Sequence, residues 1–169
     1  DLERANLFVV PLDDERQWYR YHQLFADVLQ ARLVKAQPQQ LTVLHRRASD
    51  WYEQRGQRGE AIRYALASQD FAHAAGLIEL AWPAMDGQFQ SATWLGWARA
   101  LPPALVYTRP VLSVAYAWAL LNRGELEAAE VPLREAEQWL TVKDGNHEPL
   151  PGAIIVDEAQ FRTLPASIA

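Results

Sequence analysis

The polar and apolar positions change their rhythm early in the chain. Leu7-Phe8-Val9-Val10-Pro11-Leu12 is a short apolar run, and Pro11 restricts it to an edge or a strand end. Asp13 to Gln17 is a polar loop, and Trp18-Tyr19-Arg20-Tyr21 has the bulky composition of a return strand. Leu2 to Asn6, ahead of this hairpin, reads as the last turn of a helix. From His22 the period lengthens: Leu24, Phe25, Val28, Leu29 and Leu33 recur at three- and four-residue steps, which predicts an amphipathic helix over about 22–36. Gln37-Pro38 ends it, since proline disfavours helix in its predecessor.

After Pro38 only helices are predicted. Leu41, Leu44, Ala48, Trp51 and Tyr52 make one stripe, closed at Arg55-Gly56 by glycine. Glu60 to Ala67 is a second helix, and Asp70 caps a third that closes near Trp82-Pro83. A fourth lies within Gly87 to Leu101, and Pro102-Pro103 breaks it. Pro110 opens a helix through Leu121 that is apolar nearly all round and therefore central. After Gly124, Leu126, Ala129, Leu133, Ala136 and Leu140 stripe the next. A loop covers about 141–162, and Thr163-Leu164-Pro165 looks like one more helix start. A weak repeat runs through this half: Gly56, Asp70 and Gly124 each stand five residues before an alanine, Ala61, Ala75 and Ala129. A small residue there lets paired helices approach closely, as in degenerate helix-turn-helix repeats. The fold class is mainly α: the C-terminal part of a winged-helix unit with one β-hairpin (about 7–21) spans 1–36. A helical connector and tetratricopeptide-like helix pairs of an α–α superhelix span 37–169.

The 169 residues are half hydrophobic and 22% charged, a globular composition. There is no cysteine, which removes disulfides, thiolate metal sites and cysteine nucleophiles, and fits a reducing cytoplasm. No apolar run reaches the length of a membrane span, and no leader is visible; the chain opens mid-pattern without methionine, as a piece of something longer would. Net charge is −5, split as +1 over residues 1–63 and −6 over 64–169. The acidic second half argues against direct DNA binding, because phosphate neutralisation supplies most nucleic-acid affinity.

No cluster reads as an enzyme active site. Neither lysine, Lys35 or Lys143, follows a glycine, so there is no P-loop. The serines lack a nucleophile elbow. His45, His73 and His147 have no second histidine at i+3 or i+4 and read as packed or surface residues, so no metal site is expected. Asp13-Asp14-Glu15 is a solvated turn, and Arg46-Arg47 an exposed basic face. Trp94, Trp97 and Trp118 are open to two readings: a concave surface for a ligand or partner, or filling between stacked helices.

Leu2-Glu3-Arg4-Ala5-Asn6-Leu7-Phe8, Pro11-Leu12-Asp13 and Tyr19-Arg20-Tyr21-His22-Gln23-Leu24-Phe25-Ala26 resemble MalT-like, LuxR-type transcriptional regulators, signal-transducing ATPases of the STAND class. The resemblance continues through His45 to Tyr52, Glu60-Ala61-Ile62, Ala115 to Leu120 and Gly124 to Glu130. It implies a regulatory segment without catalysis or cofactor of its own, in a cytoplasmic parent that binds ATP and ADP. The expected partners are an upstream nucleotide-binding domain, the downstream repeats, a small-molecule inducer and further copies of the parent. DNA would be met only through a C-terminal helix-turn-helix outside this chain. Tyr21-His22-Gln23 stands where the related NB-ARC ATPases carry Met-His-Asp, whose histidine reaches the ADP β-phosphate; that resemblance implies a phosphate sensor at His22, with Tyr21 and Gln23 departing from the pattern, and the other reading is a histidine that only closes the hairpin onto its helix. A plain peptide-binding repeat module without allosteric duty is the alternative.

Overall fold

A computed structural model describes residues 8–11, 13–15, 19–87, 90–143, 146–149 and 151–168. The expected helical turn at 2–6, Leu7 and Trp18 lie outside them. Contacts divide the chain into two compact units, Asp1–Leu44 and His45–Ala169.

In the first unit, β1 (Val9–Pro11) pairs antiparallel with β2 (Tyr19–Tyr21), Val9 opposite Tyr21 and Pro11 opposite Tyr19. Pro11 at the strand end is where a residue without an amide is tolerated. His22 then caps α1 (Gln23–Ala36), which ends as expected before Pro38. Phe8 stacks on Phe25 at 4.7 Å between ring centroids, and Tyr21 meets the same ring edge-on at 5.6 Å. This aromatic trio holds hairpin to helix. No residue of α1 is buried.

α2 (Pro38–Gln54) leads into the second unit, where α3 (Arg58–Ala67), α4 (Phe71–Gly87), α5 (Ser91–Arg99), α6 (Pro103–Tyr107), α7 (Pro110–Leu121) and α8 (Leu126–Gln138) follow. Consecutive helices pack as pairs, α3 on α4 and α7 on α8, with α7 also meeting α4, α5 and α6. α7 is the central helix its composition predicts: nine of its residues are buried. The repeated alanines do what their spacing asks, since Ala61, Ala75 and Ala129 are all buried in one core.

The turns between pairs share a device. Gly56 and Gly124 adopt φ of +70° and +77°, and Gln69 adopts +60° in the equivalent turn before α4. In each, the amide one residue on returns to a carbonyl of the preceding helix: Gln57 to Tyr52, Asp70 to Ala65, Glu125 to Leu120. The left-handed residue of the middle turn is thus Gln69, with Asp70 as the cap that follows it; Asp70 Oδ1 accepts from the amide of His73 at 3.3 Å.

Three expectations need correction. The third helix does not close at Trp82-Pro83: α4 runs through Pro83 to Gly87. A helix-interior proline costs about 3 kcal/mol, but Leu77, Ile78 and Ala81 are buried on this helix and Trp82 and Met85 pack against the same core, and each large apolar side chain returns about 1.5–3 kcal/mol. Second, strand pairing does occur beyond Pro38: it takes Leu140, expected in the helical stripe, together with the first part of the stretch read as a loop over 141–162. β3 (Leu140–Lys143) pairs antiparallel with β4 (Asn146–Pro149), Lys143 opposite Asn146. Its signal was in the sequence, since Asp-Gly at 144–145 is a favoured two-residue hairpin connection. Third, α9 (Glu158–Ile168) begins before Thr163, because Asp157 Oδ1 accepts from the amide of Gln160 and caps it there. Phe161 and Leu164 then bury against Val111 and Val114 of α7.

Candidate functional site

The junction of β2 and α1 is the first candidate. His22 has φ −56° and ψ 138°, outside the helix, while its carbonyl already accepts from the amides of Phe25 and Ala26 at 2.9 and 3.0 Å. Its own amide donates to the Phe8 carbonyl, which ties the joint to the hairpin. The backbone is therefore fixed on both sides of the residue. The imidazole forms no capping bond, is exposed, and borders an open hollow with Phe8, Leu24, Phe25 and Val28. The first turn of α1 carries no acidic residue. Gln23 turns its amide toward Asp27 at 3.1 Å. A helix start whose first turn carries no acidic side chain favours an anion, although Asp27 stands one turn further on.

The three tryptophans are not brought together. Trp94 is fully buried; its indole N–H donates to the Ile78 carbonyl at 2.8 Å and its ring meets Trp82 edge-on. It fills the core and faces no ligand surface. Trp97 is half-buried and covers Gly59, where a Cβ would stand 3.7 Å from the indole; it borders a shallow hollow with Arg58, Glu60 and Arg63. Trp118, 42% exposed, lies in a different groove between α4, α7 and α9, lined by Trp82, Asp86, Val114, Gln160 and Thr163. Of the three, only Trp118 is an exposed aromatic facing an open groove.

Two polar clusters lie beyond reach of spacing along one helix. In the first, Asp50 and Glu53 of α2 face His73 of α4: the imidazole Nε2 is 3.4 Å from Glu53 Oε2 and 4.0 Å from Asp50 Oδ1. Arg46, from the expected basic face, pairs with Asp70 at 3.3 Å across the same helices. In the second, Glu79 of α4 is fully buried with Arg109 at the α6–α7 joint, 3.4 Å away. The guanidinium also donates to the Ala72 carbonyl, and the other carboxylate oxygen accepts from the amide of Val156. Burial pushes the Glu79 carboxyl above its ordinary range, against the pull of Arg109 and of the amides of Val156 and Asp157. Glutamate inside an apolar helix stripe is the one sign in the sequence of this buried pair. These groups offer no nucleophile beside a base, and the second cluster is shut away from solvent.

Residues 1–41 match the family model of the MalT winged helix domain. A transcriptional regulator MalT of Serratia proteamaculans is 30% identical over the whole chain, which covers 18% of that protein. MalT of Vibrio campbellii is 31% identical over 81% of the chain and 15% of its own length. The serine/threonine-protein kinase PknK of Mycobacterium tuberculosis is 37% identical over 81% of the chain and 13% of the kinase. The chain thus spans under a fifth of the curated relatives it matches. No solved structure gives a significant match. With the hairpin and α1 inside the matched winged helix, and similarity to MalT running on through the helical pairs, this chain is a MalT-like segment.

Proposed function

We propose that this segment is a non-catalytic relay within an ATP-dependent, LuxR-type transcriptional activator of the cytoplasm, coupling effector occupancy of the helical repeats to nucleotide state and self-association. The observation that carries this reading is His22: an exposed imidazole on a backbone bonded both to the hairpin and to the first turn of α1. There it can meet the phosphate of ADP held by an upstream nucleotide-binding domain, and any change in that contact is felt directly by the helix it caps. The relatives support a relay over an output device. Closely similar segments occur in a kinase and in helix-turn-helix regulators, two outputs with different chemistry, so what they share is more economically a control step. ATP and ADP belong to the parent, as do the inducer and DNA; no helix among the described residues is long and apolar enough to cross a membrane.

His22→Ala in an intact parent tests this. A phosphate contact that restrains the resting state predicts reporter transcription without inducer in the variant; inducer dependence equal to the parent would sink the reading. The groove beside Trp118 favours a second reading, a protein- or peptide-binding repeat module without allosteric duty. A partner retained equally with ADP, ATP or no nucleotide would support it.

A further inference from the structure

The cluster of Asp50, Glu53 and His73 joins two helices through three groups of metal-ligand type. Asp50 and Glu53 are spaced i and i+3 on α2, so their carboxylates share one face. His73 arrives from the first turn of α4, where its backbone N–H donates a hydrogen bond to the Asp70 carboxylate. One oxygen of each carboxylate and Nε2 of the imidazole lie within 4.8 Å of one another. The Nε2 atom is closed off from solvent and has no hydrogen-bond partner. The nearest carboxylate oxygen, Glu53 Oε2 at 3.4 Å, is not aligned as a hydrogen-bond acceptor. This nitrogen faces one oxygen of each carboxylate without a hydrogen bond to either.

We infer that Asp50, Glu53 and His73 form a site for a divalent transition-metal ion of the zinc class, clipping α2 to α4. Two carboxylate oxygens and one imidazole nitrogen are a three-ligand set for zinc, with water completing a tetrahedron. Zinc bonds of about 2.0–2.2 Å place its ligand atoms some 3.5 Å apart, which the His73–Glu53 separation already meets. Asp50 and Glu53 are about half exposed, so their side chains are free to swing inward by the remaining distance. The neighbouring cations do not compete: Arg46 is engaged with Asp70, and Arg55 lies over the Trp51 ring at 3.7 Å. Imidazole selects against magnesium, which prefers oxygen ligands and its own water shell.

Calorimetric titration of the 169-residue chain with zinc chloride, and in parallel with magnesium chloride, tests the site. The expected result is one saturable zinc site and no saturable magnesium site. His73→Gln and, separately, Asp50→Asn with Glu53→Gln should each weaken zinc binding at least tenfold, since even outer groups around a metal carry about 10- to 100-fold. Circular dichroism must show both variants as helical as the parent; should one of them unfold, the other decides. Absence of a saturable zinc site, or equal zinc affinity in the parent and a folded variant, overturns the inference and leaves these groups as an ion pair only.

Discussion

The two units of this chain spend their apolar residues in opposite ways. On α1, Leu24 is 71% and Val28 62% exposed, and the hairpin it follows is joined to it by an aromatic trio and the backbone bond from His22 to Phe8. In the second unit the large apolar residues of α4 and α7 are buried or partly buried, with Trp118 the exception, and the indole of Trp94 on α5 is buried in full. An amphipathic stripe is therefore a statement that a face is suited to burial, and no statement of what buries it. Where the covering element is the next helix in the chain, as for α3 and α4, stripe and core coincide. On α1 the stripe is present and the described residues of its own unit leave it open.

The sharpest way to break this contrast is the buried pair in the second unit. Arg109→Met, which strands the Glu79 carboxylate, should cost about 3–5 kcal/mol in urea unfolding, while Arg109→Met with Glu79→Gln costs much less than the sum of the two single changes. The acid form of Glu79 is favoured in the folded state, so the folded chain holds that proton more tightly than the unfolded one. Its contribution to stability is complete below the ordinary glutamate range and is lost as pH rises from there through the raised value. Glu79→Gln should remove that part of the pH slope, read from melts across weakly acidic pH.

Next in size is the comparison of apolar residues themselves. Trp94→Ala should destabilise by about 3–5 kcal/mol, against under about 0.5 kcal/mol for Leu24→Ala, measured as shifts in the unfolding midpoint. A large effect at Leu24 would mean that α1 is covered after all. Smaller, and opposite in sign, is Gln69→Gly: a left-handed non-glycine residue carries about 1–2 kcal/mol of strain, so this variant should raise the melting temperature by a few degrees.

Much of the second unit was legible because its signals are local. Gly56 and Gly124 announce their turns through backbone conformations that glycine adopts freely, and Ala61, Ala75 and Ala129 announce close approach through their size. The failures came where a distant partner outweighed a local rule. Pro83 is a stop signal overridden by the core that Trp82 and Met85 pack against. Trp94 differs from a ligand shelf through a tertiary partner, the Ile78 carbonyl that accepts its N–H. At the proposed metal site, His73 looks solitary along its own helix, and its companions belong to α2. The hairpin of β3 and β4 is hidden for another reason: Leu140 to Lys143 alternates apolar and polar over only four residues, and its partner Asn146 to Pro149 is polar throughout until a proline, so no pair of alternating strands marks it.

The strap between that hairpin and α9 is pinned at alternate residues. The amide of Ile154 donates to the Thr108 carbonyl at 3.0 Å and that of Val156 to the Glu79 carboxylate at 3.3 Å. One added or deleted residue between those anchors would bring the wrong amide to a fully buried carboxylate. Length changes in relatives should therefore gather at the hairpin tip and spare 154–156, a ruler of two residues that sets where the following helix can begin.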